Sequence, residues 1–213
     1  MASAVERVEA CGVVAIVRLK DYSAAVDLVK ALFDGGIDVV EFTYTNPQAG
    51  AAIEEVKAAL GDQVLAGAGT VLDPETCRAA ILQGADFIVT PTVNVETVRL
   101  SRRYAIPTVI GAFTPTEILT AWEAGATFVK VFPARAVGPA YLKDVSGPLP
   151  QVRLIPTGGV SVENAGDFIR AGARAVALGG NLVDEQTVAD RDWTTITSRS
   201  RAAVAAVNAA RAS

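Results

Sequence analysis

Lys130 lies in the apolar run Ala126-Thr127-Phe128-Val129-Lys130-Val131-Phe132-Pro133. Burying an ammonium group costs several kcal/mol unless it is paired, neutralised or used. A desolvated lysine is the usual amine of Schiff-base chemistry. On an edge strand the same side chain would simply reach water. The chain has no histidine, which removes the commonest general base and the commonest metal ligand. Any proton transfer then falls to Lys, Glu, Asp or Tyr, and neither metal nor cofactor is expected.

The elements that must hold this lysine repeat along the chain. Short β-rich runs at 13–18, 38–43, 64–68, 87–90, 108–110, 128–132, 153–156 and 175–178 alternate with amphipathic helical stretches. Asn46-Pro47, Asp73-Pro74 and Thr114-Pro115 each set a capping side chain before a first-turn proline. Thr114 to Glu117 also spells a capping box, and 190–213 reads as a closing helix. Eight such units predict an α/β chain folded as a single-domain (β/α)8 TIM barrel over residues 1–213. A doubly wound sheet would carry a glycine fingerprint after its first strand, where Arg18-Leu19-Lys20 stands instead.

Gly36, Gly84, Gly125 and Gly172 each precede an even-numbered strand and suit the left-handed position that ends a helix. Five residues beyond them stand Glu41, Val89, Lys130 and Ala177. Barrel interiors are filled by layers of four side chains from alternate strands, so these four are expected to share one layer near the C-terminal mouth. Strands two and six lie opposite each other in a ring of eight, which brings Glu41 to Lys130 across the axis. The alternative is a buried ion pair with a purely structural role.

The turns after strands seven and eight, Thr157-Gly158-Gly159-Val160-Ser161 and Gly179-Gly180-Asn181, fall where barrels commonly hold a phosphate on backbone amides and a helix N-terminus. Ser161 reads better as a helix cap than as a ligand. Thr70 and Arg18 bring a hydroxyl and a cation to the same mouth, Arg18 suiting a carboxylate and Thr70 and Thr157 hydrogen bonds to substrate. Phe132 and Pro91 are expected to wall the pocket, with plain core as the alternative for Phe132.

These residues carry a resemblance. Val14-Ala15-Ile16-Val17-Arg18, Glu41-Phe42-Thr43, Gly67-Ala68-Gly69-Thr70-Val71, Pro91, Thr114-Pro115-Thr116-Glu117, Lys130-Val131-Phe132-Pro133 and Pro156-Thr157-Gly158-Gly159-Val160 occur in this order over nearly the whole chain. In this the chain resembles the class I 2-keto-3-deoxy-6-phosphogluconate (KDPG) and 4-hydroxy-2-oxoglutarate (KHG) aldolases, a family that includes phosphogalactonate aldolases. The resemblance implies a homotrimer that cleaves a 2-keto-3-deoxy-6-phospho sugar acid to pyruvate and glyceraldehyde 3-phosphate, the step of the Entner–Doudoroff type. It implies an imine on Lys130 and proton transfer by Glu41, without a metal. Two positions depart from the family pattern. Thr45 stands where many relatives carry arginine, and Gly180 stands where the family has a phosphate-contacting serine.

Composition excludes other classes. A net charge of -4 gives no reason to expect nucleic acid or an anionic membrane surface as partner. No apolar run reaches the length of a membrane span, and the start lacks the basic residues of a signal peptide. Cys11 and Cys77 have no ligand spacing. A cytoplasmic protein acting on a small 2-keto acid or sugar-acid phosphate is expected. Two other readings remain open: a phosphate-binding isomerase or epimerase using Glu41 as base without a covalent step, and a silent barrel serving as an oligomeric scaffold or keto-acid binder.

Overall fold

The structure is a computed structural model that describes residues 3–212. The chain runs α1 (Ala4–Cys11), β1 (Val13–Val17), α2 (Ala25–Asp34), β2 (Val39–Thr43), α3 (Ala49–Leu60), β3 (Leu65–Gly69), α4 (Pro74–Leu82), β4 (Ile88–Val89) and α5 (Val95–Arg103). It continues β5 (Thr108–Ala112), α6 (Pro115–Glu123), β6 (Phe128–Val131), α7 (Gly138–Ser146), β7 (Leu154–Pro156), α8 (Val162–Arg170), β8 (Val176–Leu178), α9 (Glu185–Ala189) and α10 (Trp193–Arg211). All neighbouring strands pair in parallel, in the order β7-β6-β5-β4-β3-β2-β1-β8. A pairing of Thr157 with Ala177 closes the ring between β7 and β8. The result is the (β/α)8 barrel that the eight sequence units predict.

The two-residue period of the strands sorts their side chains. Val14, Ile16, Val39, Leu65, Val89, Val109, Phe128, Ile155 and Ala177 form one apolar cluster inside the ring. The alternate residues, among them Val13, Val40, Phe42, Ile110, Val129 and Leu154, pack outward beneath the helices. Burial on both faces explains why the strands read as continuous apolar runs rather than as alternating ones.

The helix ends follow the sequence signals closely. Gly36, Gly84, Gly125 and Gly172 all have positive φ, between 87° and 103°, a region that other residues seldom enter. Asp73 accepts from the Thr76 N–H at 2.6 Å. Thr114 and Glu117 form the reciprocal capping box of α6. The third expected cap needs correction. α3 starts at Ala49, and Asn46 sits in the preceding turn, where its side chain accepts from Gln48 N–H and donates to the Leu19 and Lys20 carbonyls. A short polar side chain stabilises a turn as readily as a helix start, and here it ties the loop after β2 to the loop after β1.

Candidate active site

Continuing the inward phase of each strand to its C-terminal end generates the site. Two residues beyond Phe128 stands Lys130, beyond Ile155 Thr157, beyond Ile16 Arg18, beyond Ala177 Gly179, and beyond Val39 Glu41. Lys130 is 5% exposed and Glu41 2%. Their charges act on each other, yet among the described residues no direct hydrogen bond or ion pair ties either one down. Lys130 Nζ lies 5.2 Å from the centre of the Phe132 ring. The carboxylate of Glu41 runs across Gly69 on the neighbouring strand, and a methyl group there would come within 2.6 Å of its Oε1. The bare backbone of β3 is therefore what gives Glu41 its room.

Burial dominates the titration of both groups. Desolvation pulls the Lys130 amine below its ordinary value, and Arg18 adds to the effect while Glu41 opposes it. Desolvation pushes the Glu41 carboxyl up, against the pull of Lys130 and Arg18. Both shifts favour the uncharged forms. A neutral amine and a protonated acid are the pair needed to add an amine to a ketone and expel water.

Lys130 opens into a cavity of about 460 Å³ at the mouth of the ring, bounded by Ile16, Arg18, Lys130, Phe132, Pro133, Arg135, residues 157–160, Ala177 and residues 179–181. Every wall comes from the ends of β6, β7, β8 and β1. Of the residues singled out in the sequence, Arg18, Lys130, Phe132, Thr157, Gly158, Gly159, Gly179 and Gly180 meet here. Glu41 lies buried beside the cavity. Thr70 and Pro91, which follow β3 and β4, are not among the residues that bound it. Thr157 Oγ1 is buried without a hydrogen-bond partner. Such a hydroxyl costs about 1–3 kcal/mol, a cost that a polar ligand would offset. Arg135 is the wall residue that sequence reading missed. The only local signal is a cation three residues beyond the Phe132 of the inward phase. Ser161 is a helix-start residue, as its sequence suggests: its N–H donates to Asn164 Oδ1 at 2.9 Å.

Among the described residues no group of three or more His, Cys, Asp or Glu is arranged to hold a metal ion. None of their helices is long and apolar enough to cross a membrane.

An eight-stranded β/α ring with a dry lysine at a cavity rich in glycine turns, and a buried carboxyl beside it, has the architecture of a barrel enzyme. Comparison with known proteins narrows this class. The sequence profile of the KDPG and KHG aldolase family matches residues 5–199. The 2-dehydro-3-deoxy-6-phosphogalactonate aldolase of Escherichia coli K12 is 39% identical over 170 residues, covering 79% of this chain and 83% of that one. The 2-dehydro-3-deoxy-phosphogluconate aldolase of Treponema pallidum is 36% identical over 200 residues, 93% of each chain. Among solved structures, the KDPG aldolase of Legionella pneumophila with pyruvate captured at low pH as a covalent carbinolamine superposes with a TM-score of 0.88. It is 30% identical, covering 95% of this chain and 98% of that one. The chain belongs to the KDPG and KHG aldolase family and is an aldolase, an enzyme of the lyase class.

Proposed function

We propose that this aldolase cleaves 2-keto-3-deoxy-6-phosphogluconate or a close phosphorylated relative, through an imine on Lys130 with Glu41 as general acid and base. One observation carries the reading: a lysine and a glutamate, both almost wholly buried, influence each other's charge beside an open cavity, while among the described residues neither has a hydrogen-bond partner. A structural ion pair buried this deeply would need close hydrogen bonds to offset its desolvation, and this pair lacks them.

In the proposed sequence the neutral Lys130 amine attacks the substrate's C2 ketone, and a proton relayed from Glu41 lets water leave, giving a protonated imine. That cation accepts the electron pair of the C3–C4 bond as the bond breaks. Glu41, now a carboxylate, takes the C4 hydroxyl proton, and the aldehyde departs. Glu41 returns a proton to C3 of the enamine, and water adds to the resulting protonated imine, releasing pyruvate and the free amine and giving its surplus proton back to Glu41. Thr157, whose hydroxyl has no protein partner, would bond the pyruvyl carboxylate or the carbinolamine, with Arg18 as the cation beside them. Phe132 walls the pocket. The glycine amides at 158–159 and 179–180 would receive the phosphate. Thr70 and Pro91, at the ends of β3 and β4, would complete the mouth on Glu41's side of the ring.

We also propose that residues 1–213 act as one aldolase domain and that three such chains assemble. The assembly rests on the family resemblance and on the apolar side chains of Leu72, Leu82 and Phe113, which are 57%, 69% and 37% exposed. A cytoplasmic location is proposed from the two free thiols, Cys11 and Cys77.

A cleavage assay tests the function. Pyruvate release is measured from the phosphorylated gluconate- and galactonate-derived keto acids and from 4-hydroxy-2-oxoglutarate, with wild-type protein and Lys130→Met. Pyruvate from at least one substrate, abolished by the substitution, is expected. No pyruvate from any of the three, or full turnover by Lys130→Met, would rule the proposal out.

A further inference from the structure

We propose that Arg135 is the side chain that recognises the phosphate of the substrate, in the place of the serine that position 180 lacks. The inference rests on the functional reading above and adds to it the residue that sets this enzyme's preference for phosphorylated substrates.

The polar side chains at the glycine corner are already committed. Asn181 donates to the Val160 carbonyl at 3.0 Å. Asn164 accepts from Ser161 N–H and donates to the Gly159 carbonyl. Gly180 offers only backbone, and a methyl group built there would meet nothing within 4 Å. Space is therefore present at this corner. With the Ser161 hydroxyl engaged by Glu163, the loops after β7 and β8 offer backbone amides but, among the described residues, no uncommitted side-chain donor except the deeper hydroxyl of Thr157. Arg135 lines the same cavity from the β6 loop, and among the described residues its guanidinium has no carboxylate, carbonyl or ring partner.

Its position is fixed rather than incidental. The Ala134 and Arg135 N–H groups donate to the Thr157 and Gly158 carbonyls, both at 2.8 Å, which laces the β6 loop onto the turn after β7. The Arg135 Cβ packs so closely on Gly159 that any side chain there would collide with it. The glycine pair thus does two things: it turns the chain at φ 85° twice, and it lets an arginine stem lie against the turn.

Charge is distributed to match a substrate with two anionic ends. Arg18 acts electrostatically on both Lys130 and Glu41. A second cation, Arg135, lines the same cavity with its stem against the Gly159 turn. A 6-phospho-2-keto acid bound through C2 keeps its carboxylate next to the amine and carries its phosphate several bonds away. A guanidinium matches a phosphate with two parallel donors, which a lysine or serine cannot reproduce.

The test compares kcat/KM for the phosphorylated gluconate-derived keto acid with that for 4-hydroxy-2-oxoglutarate, in wild type, Arg135→Ala and Arg135→Lys. Borohydride trapping of pyruvate on Lys130 is run in parallel on all three proteins. Loss of a charge-assisted contact predicts that the phosphorylated-to-unphosphorylated ratio falls about 10- to 100-fold in Arg135→Ala, chiefly through KM. Arg135→Lys should recover part of the loss, and pyruvate, which has no phosphate, should still be trapped by both variants. An unchanged ratio with trapping intact would overturn the role of Arg135 and leave the Lys130 chemistry standing. Loss of trapping in Arg135→Ala alone would also overturn it, by showing a structural role. Failure of trapping in the wild type would remove the functional reading and this inference with it.

Discussion

The proposed chemistry depends on one amine, that of Lys130, losing its charge more easily than a lysine in water does. Burial and Arg18 lower the Lys130 value while Glu41 resists, so the neutral amine is available at lower pH than an ordinary lysine allows. The rate of pyruvate adduct formation should rise with pH and level off well below about 10.4, the value of a free lysine. A rate still climbing to that pH in stopped-flow or quench measurements would contradict the burial argument. Glu41 is held toward its protonated form by the same dry surroundings. Glu41→Gln keeps its shape and removes its proton transfer, so turnover should fall about 10²- to 10⁴-fold, while a pyruvate adduct still forms on Lys130, more slowly than in wild type. Turnover within tenfold of wild type would show that another group moves the proton. Both residues are legible in the sequence because their signals are local: a helix-ending glycine and a fixed count into the next strand. Arg135 is not, since a loop after a strand has no period and only the folded cavity shows where its side chain faces.

Elements position these groups through their phase and through what their neighbours omit. β2 and β6 place Glu41 and Lys130 on the inward face because strands alternate, and β3 gives way at Gly69. Gly69→Ala should push the Glu41 carboxylate from its seat, since the added methyl stands 2.6 Å from Oε1. Misplacing a reacting group by this much costs about 10- to 100-fold in kcat. Thermal melting should show that the barrel survives; wild-type turnover in a folded Gly69→Ala protein would show that this seat does not matter. All eight strands were readable as apolar runs bounded by turn residues, and Asp73 and Thr114 as caps. Asn46 was misread because an Asn-Pro pair marks a turn as well as a helix start. Thr70 and Pro91 follow strand ends as Thr157 does, and strand ends alone do not say which side chains of the mouth bound the cavity.

At the scale of the molecule, closing eight parallel strands into a ring leaves a mouth, and here the cavity opens over β6, β7, β8 and β1 alone. That asymmetry arises from tertiary packing, including the β6 loop laced to the β7 turn, and no stretch of sequence states it. The exposed Leu72, Leu82 and Phe113 are costly to leave in water at about 25 cal/mol per Å² of apolar surface. If the family's trimer covers them, multi-angle light scattering gives the mass of three chains at micromolar concentration. A monomer that turns over at full rate would remove the case for assembly.

The measurement that bears most directly on the whole account is mass analysis after borohydride reduction with pyruvate. A single three-carbon adduct on the peptide carrying Lys130, absent from Lys130→Met, is the predicted result. An unmodified chain that nevertheless releases pyruvate from substrate would contradict the account, as would an adduct on any other lysine.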